Sequence, residues 1–151
     1  MATAFVGIGS NVGDREAHLR GALELLAAEP GIEIVAVSQL RETKPVGPVE
    51  QSDFLNGAVR LSTDLPPRQL LERLLAIEAR LGRLRRERFG PRTIDLDLLV
   101  YGNEIVDEPG LTLPHPRLHE RRFALEPVAE LAPDLVIPGR GTVSALLSEL
   151  K

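Results

Sequence analysis

The chain has 151 residues, a formal net charge of −4 and no cysteine. Its length predicts a single domain, 1–151, which is large enough to bury a core without disulfides. The lack of cysteine excludes thiolate metal sites, and the negative net charge argues against a nucleic-acid binder. No apolar run reaches the roughly 18 residues of a membrane span, and the start lacks a signal-peptide pattern, so we expect a cytoplasmic protein without a membrane partner.

The first half of the chain predicts three strands and one helix. Leucine and alanine recur at helical spacing after Asp14, which is a suitable N-cap. Alternating β-branched residues predict strands, and two prolines with a glycine predict an irregular loop before the third strand. A glycine-rich turn after the first strand is either structural or lies beside a ligand. The predicted elements are strand 3–8, turn 9–13, helix 14–28, strand 32–37, loop 43–48 and strand 54–63.

The second half predicts a helix, a strand and a mostly helical C-terminal part. Pro66 and Pro67 suit the first turn of a helix, where no partner for a backbone N–H is needed. Thr142 is a suitable N-cap for the last helix. The predicted elements are helix 66–81, strand 93–101, a short partner of that strand at 104–106, and helices around 117–123, 128–131 and 143–150.

The order of the main elements is strand, helix, strand, strand, helix, strand. It predicts an α+β fold with a ferredoxin-like βαββαβ core. In that core an antiparallel sheet carries both helices on one face, and the extra C-terminal helices follow. No internal repeat suggests another architecture.

Two aspartates lie within the predicted strand 93–101. Alternate side chains of a strand share a face, so Asp95 and Asp97 point away from the core that receives the apolar residues beside them. Two carboxylates about 7 Å apart on one face repel each other, and a divalent cation such as Mg²⁺ relieves that repulsion. The alternative is a pair of solvated aspartates on an exposed face.

The segment 80–92 carries six arginines and a single acidic residue. Such concentrated positive charge on an acidic chain predicts a local anionic ligand. Arginines beside magnesium carboxylates suit phosphoryl transfer, because both neutralise charge on phosphate oxygens. A solvated helix end is the alternative, and it accounts for Arg80 and Arg83 but not for the arginines that follow. The glycine-lysine motif of P-loop enzymes is absent.

The stretch Arg88–Leu99, RFGPRTIDLDLL, resembles the signature of the hydroxymethyldihydropterin pyrophosphokinases. Further stretches that resemble this family in order and spacing are Gly7–Asn11, Thr43–Pro48, Gln51–Asn56, Leu113–Pro116 and Arg121–Phe123. The resemblance implies transfer of diphosphate from MgATP to the hydroxymethyl group of 6-hydroxymethyl-7,8-dihydropterin, with release of AMP, in folate biosynthesis. The partners it implies are these small molecules and no nucleic acid, and we expect the chain to act as a monomer.

The resemblance also implies roles for particular residues. Asp95 and Asp97 would hold two Mg²⁺ ions, and with Arg83 and Arg92 they would form the catalytic set. The residues implied for the ATP co-substrate are Glu78, Arg83, Arg85, Arg92, Leu98, His115 and Arg121. The residues implied for the pterin are Thr43, Pro45, Val46, Gly47, Phe54, Asn56 and Phe123.

Some of these residues have simpler explanations. A structural loop histidine is the alternative for His115, and an exposed helix residue is the alternative for Glu78. Phe54 and Phe123 would sandwich the flat pterin ring, with core phenylalanines as the alternative. The rival functions are another Mg²⁺-dependent nucleotidyl or phosphoryl transferase and an RNA-binding module. The aspartates argue against RNA, because RNA readers of this fold need exposed aromatic residues on the sheet and carboxylates repel phosphate.

Overall fold

The computed structural model describes residues 1–44, 52–81 and 94–150. Its strands are β1 Ala2–Ser10, β2 Ile32–Val37, β3 Arg41–Thr43, β4 Phe54–Thr63, β5 Asp95–Tyr101, β6 Val106–Glu108, β7 Leu111–Leu113, β8 Val136–Ile137 and β9 Gly141–Thr142. Its helices are α1 Arg15–Ala28, α2 Pro67–Arg80, α3 Arg122–Leu131 and α4 Val143–Glu149, with a 3₁₀ turn at Leu118–Glu120.

Five strands form the main sheet. Four of them follow the order β2-β4-β1-β5, and the short strand β3 also pairs with β4. Every pairing in this sheet is antiparallel. Because α1 connects β1 to β2 and α2 connects β4 to β5, the predicted ferredoxin-like α+β core is confirmed.

The sheet separates two hydrophobic clusters. The helices α1 and α2 cover the first face, and their fully buried residues include Leu19, Leu26, Leu70, Leu74 and Ile77. The helices α3 and α4 cover part of the second face, where they pack around Phe5 and Ala58. Each buried leucine or isoleucine contributes about 1.5–3 kcal/mol relative to exposure. Within the described ranges, no helix combines the length and apolar character that crossing a membrane requires.

The predicted starts of α1, α2 and α4 are confirmed. The Oδ1 atom of Asp14 accepts a hydrogen bond from the backbone N–H of Ala17 at 3.1 Å, which caps α1. Thr142 caps α4 in the same way, with its Oγ1 atom 3.2 Å from the backbone nitrogen of Ala145. Pro66 precedes α2 and Pro67 is its first residue.

Strand pairing extends further than the sequence pattern predicted. The strand β1 continues to Ser10, so Gly9 and Ser10 belong to the sheet and not to the predicted turn. Their pairing with β4 keeps them extended. Thr43, predicted as part of a loop, ends the strand β3 because it pairs with Phe54. The predicted loop residues 45–48 lie outside the described residues.

The prediction that 104–106 pairs with β5 is wrong. Only the last residue of this segment lies in a strand, β6 at Val106–Glu108, which pairs with β7 instead. The outer edge of β5 is already used by other groups. Glu78 accepts a hydrogen bond from the Leu96 backbone N–H at 2.7 Å, and the His115 backbone N–H donates to the Leu99 carbonyl at 2.8 Å.

The C-terminal helices also differ from the prediction. The segments 117–123 and 128–131 were predicted as separate helices, whereas a 3₁₀ turn leads into one helix, α3, that contains Pro127. Proline removes one backbone hydrogen bond from a helix. Because Leu125 and Val128 are fully buried on both sides of the proline, packing outweighs that loss.

Candidate functional site

Two glycines of β1 leave an opening on the second face of the sheet. Gly7 pairs with Ala58 on one side and Asp97 on the other, and Gly9 pairs with Asn56 and Asp95. A Cβ atom added to Gly9 would lie 2.5 Å from the Oδ1 atom of Asn56. Neither glycine is among those with a positive φ, so the missing side chain is what matters here.

A first pocket opens above these glycines. Eight of the side chains that line it were predicted as site residues: Thr43, Phe54, Asn56, Asp95, Asp97, His115, Arg121 and Phe123. They come from β3, β4, β5, the segment after β7, and the start of α3. The fold therefore brings together all the predicted site residues within the described ranges except Glu78 and Leu98.

A second pocket lies beside the first, between α2, β5 and the β7 segment. Its lining includes Glu78, Leu98 and Pro116. Asp95, Asp97 and His115 line both pockets. The two aspartates therefore lie where the pockets meet.

Asp95 and Asp97 share the second face of the sheet, as their spacing predicted. Both are partly buried, while Leu96 and Leu98 between and beside them belong to the core on the first face. Mg²⁺ prefers one or two carboxylates together with phosphate oxygens and water, so this pair suits it. Among residues 1–44, 52–81 and 94–150, no group of three or more histidine, cysteine or acidic side chains could hold a metal ion by itself.

Asn56 is oriented by a neighbouring strand. Its side chain is 8% exposed, and its Nδ2 atom donates to the Oγ1 atom of Thr43. The carbonyl oxygen of the same side chain lies over Gly9. An amide fixed in this way presents a defined hydrogen-bonding edge to a ligand.

The two predicted stacking residues are not fully buried core phenylalanines, although Phe123 also packs against the second hydrophobic cluster. Phe54 and Phe123 are both partly exposed and line the first pocket, whereas Phe5 is fully buried in the second hydrophobic cluster. The guanidinium group of Arg121 lies 5.5 Å from the centre of the Phe123 ring. Cation–π contact at this distance orients both side chains at the pocket.

His115 is neutral in this environment. Burial lowers its pKa to about 4; the positive charges of Arg121 and Arg117 also lower it, while Asp95 opposes the shift. The Nδ1 atom accepts a hydrogen bond from the backbone N–H of Arg117 at 3.2 Å, which leaves the proton on Nε2. The side chain lines both pockets, so His115 is not a purely structural histidine in a loop outside the site.

We expect this histidine to make the free protein less stable in acid. Its pKa is about 4 when folded and 6.5 ordinarily, so the unfolded chain binds more protons between these values. Stability then falls as the pH drops below about 6.5. The side chain is partly exposed, so we expect a loss of about 1 kcal/mol between pH 7 and pH 5. Urea unfolding at both pH values measures this loss of unfolding free energy. An equal loss in His115→Asn would contradict the assignment of the effect to this histidine.

Glu78 is not the exposed helix residue of the simpler explanation. It is 4% exposed, and its Oε2 atom accepts the hydrogen bond from Leu96, the residue between the two aspartates. Leu98 is 5% exposed and packs mainly in the core, with part of its surface on the second pocket.

The remaining predicted site residues lie outside the described residues: Pro45, Val46, Gly47, Arg83, Arg85 and Arg92. The sequence interpretation left open whether the turn that includes Gly9 lies beside a ligand, and it missed that Gly7 and Gly9 together form the floor of the first pocket. Their signal was present, because two alternate glycines in a strand indicate a close approach by a ligand or another group. It also missed Lys44 and Leu118, which line the same pocket.

Comparison with known sequences identifies one family. The profile of the 7,8-dihydro-6-hydroxymethylpterin-pyrophosphokinase (HPPK) family matches residues 5–133. The 2-amino-4-hydroxy-6-hydroxymethyldihydropteridine pyrophosphokinase of Methylorubrum extorquens is 51% identical over 150 residues, which are 99% of this chain and 94% of that protein. The protein of the same name from Haemophilus influenzae is 38% identical over 149 residues, 99% of this chain and 93% of its own length.

Solved structures share the fold. An HPPK-DHPS protein in complex with substrates matches 97% of this chain with a TM-score of 0.76 and 12% identity. Plasmodium falciparum HPPK-DHPS with pterin and p-hydroxybenzoate matches 98% of it with a TM-score of 0.75 and 15% identity. This chain spans 43% and 41% of those two chains. The likeness at these identities concerns the arrangement of strands and helices.

Proposed function

This chain belongs to the 7,8-dihydro-6-hydroxymethylpterin-pyrophosphokinase family, and from that premise we propose that Asp95 and Asp97 mark the place where its two substrates react. The enzyme transfers the diphosphate group of ATP to the hydroxymethyl group of 6-hydroxymethyl-7,8-dihydropterin in folate biosynthesis. AMP is the other product. The observation that carries the assignment is that Asp95, Asp97 and His115 line both pockets.

The first pocket is the pterin site in this proposal. Asn56 lies beside Gly9 with its amide fixed by Thr43, and it suits the amide-like edge of a pterin. Phe54 and Phe123 supply aromatic surface at the same pocket, which favours a flat heterocycle. The contacts expected from Pro45, Val46 and Gly47 stay predictions.

The second pocket is the nucleotide site. Glu78 and Leu98 line it, His115 lines both pockets, and Arg121 lines the first pocket, toward which the phosphate groups would reach. A neutral His115 can donate a hydrogen bond from Nε2, and Arg121 brings positive charge. The catalytic and ATP-binding roles of Arg83, Arg85 and Arg92 stay predictions.

Asp95 and Asp97 are the residues that would hold Mg²⁺, and the number of two ions rests on the family resemblance. When bound, the metal would supply positive charge that offsets the negative charge developing on the phosphate groups during transfer. The aspartates themselves are held by the pairing of β5 with β1 and by the bond from Leu96 to Glu78. Rigid support of this kind keeps both carboxylates aimed at one place.

The mechanism that follows is mainly positioning. The substrate hydroxyl group attacks the β-phosphorus of ATP and gives up its proton to solvent, while the bond between that phosphorus and the oxygen kept by AMP breaks. Asn56 and the aromatic residues fix the pterin, while His115 and Arg121 face the phosphate groups, so the reacting atoms meet in one orientation. Holding two reactants in this way can supply several kcal/mol of the barrier reduction.

The direct test is AMP release from MgATP with and without 6-hydroxymethyl-7,8-dihydropterin. We expect AMP only when the pterin is present, and none after EDTA has removed the divalent metal. The release of ADP instead would contradict transfer of a diphosphate group. A folded protein that binds ATP but produces no AMP would contradict the pterin assignment.

Some expectations from the sequence stay predictions. They concern a single pyrophosphokinase domain over 1–151, a monomer, the lack of a nucleic-acid partner and a cytoplasmic location. The family profile, which covers residues 5–133, supports the first of them.

A further inference from the structure

Arg15, the first residue of α1, joins two strand ends beside the first pocket. Its Nη1 atom donates to the backbone carbonyl of Asp53 at 3.1 Å, and its Nη2 atom donates to Oε1 of Glu42 at 2.5 Å. Asp53 directly precedes Phe54, and Glu42 directly precedes Thr43. The guanidinium group of Arg15 therefore links the backbone next to Phe54 with the side chain next to Thr43.

The start of α1 makes a second contact with the same region. Asn11 is 4% exposed and donates from Nδ2 to the backbone carbonyl of Ser52 at 2.9 Å. Asp14, between Asn11 and Arg15, caps α1 and fixes the first turn of the helix. Arg15 therefore extends from a helix end whose own position is well determined.

Apart from the hydrogen bond from Asn56 to Thr43, the strand β3 has little other support. It contains three residues and, among the described residues, pairs only with β4. Its first residue, Arg41, forms an ion pair with Glu130 of α3 at 2.7 Å. Arg15 provides the corresponding ion pair at Glu42, toward the end of the strand that carries Thr43. Short strands with few contacts are among the least stable parts of a fold.

We propose that Arg15 is a positioning residue for the pterin. It holds the β3 end and the β4 start at the separation at which Thr43, Asn56 and Phe54 form one binding surface. This inference rests on the proposed function, because it assigns the first pocket to the pterin. Arg15 does not line either pocket, so it acts through the residues that it joins.

The contribution of Arg15 to overall stability is small. The side chains of Arg15 and Glu42 are 28% and 61% exposed, and ion pairs with this exposure add little to folding. Its effect is therefore expected in pterin binding and not in the melting temperature. This separates positioning from a general structural role.

The experiment compares steady-state kinetics of the whole enzyme and three variants. For Arg15→Ala we expect the KM for the pterin to rise about fivefold, with kcat and the KM for ATP within about twofold of wild type. Arg15→Lys keeps the charge but lacks the two separate terminal nitrogens that make these bonds, so its pterin KM should lie in between. Arg20→Ala, which removes an exposed arginine of the same helix, should match the wild type.

The outcomes separate the two claims. An active wild type whose pterin KM is unchanged in Arg15→Ala would overturn the role of Arg15 alone. Equal losses in kcat and both KM values, with a lower melting temperature, would overturn it as well by indicating a structural role. A wild type without pterin-dependent AMP release would overturn the proposed function and, with it, this inference.

Discussion

Replacing Asp97 with alanine is expected to reduce turnover on the order of a thousandfold while leaving the fold intact. Asp97 is partly buried and faces the space above Gly7, outside both hydrophobic clusters. Removing its carboxylate therefore opens no cavity in the core. It does remove one of the two carboxylates that the proposed metal site requires.

Three measurements test this prediction. AMP release with saturating substrates reports turnover, thermal unfolding reports the fold, and Mn²⁺ binding followed by electron paramagnetic resonance reports the metal site directly. Asp97→Asn should lose metal binding too, because a neutral amide oxygen is a weaker ligand for a divalent cation than a carboxylate. Asp107→Ala is the matched control, since Asp107 is an exposed aspartate of another strand.

The result that would contradict the metal assignment is near-normal turnover of Asp97→Ala in Mg²⁺. A variant that has lost turnover but binds Mn²⁺ like the wild type would also contradict it. In that second case Asp97 would act on a substrate and not through a metal ion.

The sequence predicted those features that depend on neighbours along the chain. The strand 54–63 has the predicted bounds, and Asp14 caps its helix as expected. The shared face of Asp95 and Asp97 was also correct. In each case, alternation, helical spacing or a capping side chain acts over a few residues, so a local pattern is sufficient.

The features that were missed depend on contacts between distant segments. The segment 104–106 was predicted to pair with β5, but Glu78 and the His115 backbone occupy the edge of that strand. In the sequence, Glu78 has the pattern of an exposed helix position. It becomes buried only because α2 packs beside β5. Gly9 looked like part of a turn because its pairing with β4 and β5 cannot be read from its neighbours.

In the site, too, the contacts between distant segments were the part that the sequence did not predict. Asn56 and Thr43 were named for the pterin through the family resemblance, and the fold adds that one donates a hydrogen bond to the other. Arg15 was not named at all, since its partners Glu42 and Asp53 lie 27 and 38 residues away along the chain. Its function at the pocket is visible only once α1, β3 and β4 are placed together.

Substituting alanine for Gly9 should impair pterin binding, because the added methyl group would collide with the side chain of Asn56. The added Cβ atom would lie 2.5 Å from Oδ1 of Asn56, closer than two such atoms can approach. Asn56 cannot rotate away freely, because its Nδ2 atom is bonded to Thr43 and its side chain is 8% exposed. We expect the KM for the pterin to rise about tenfold or more, with little change in the KM for ATP.

The matched control is Gly21→Ala in α1. There an added Cβ atom would lie 3.6 Å from Leu81 Cδ2, an ordinary contact, and alanine favours a helix over glycine by up to about 1 kcal/mol. Asn56→Ala should also raise the pterin KM and spare ATP. Because both substitutions act on one amide group, the double variant should lose less than the sum of the two single effects. A pterin KM that stays at the wild-type value in Gly9→Ala would show that the pterin does not bind above this glycine.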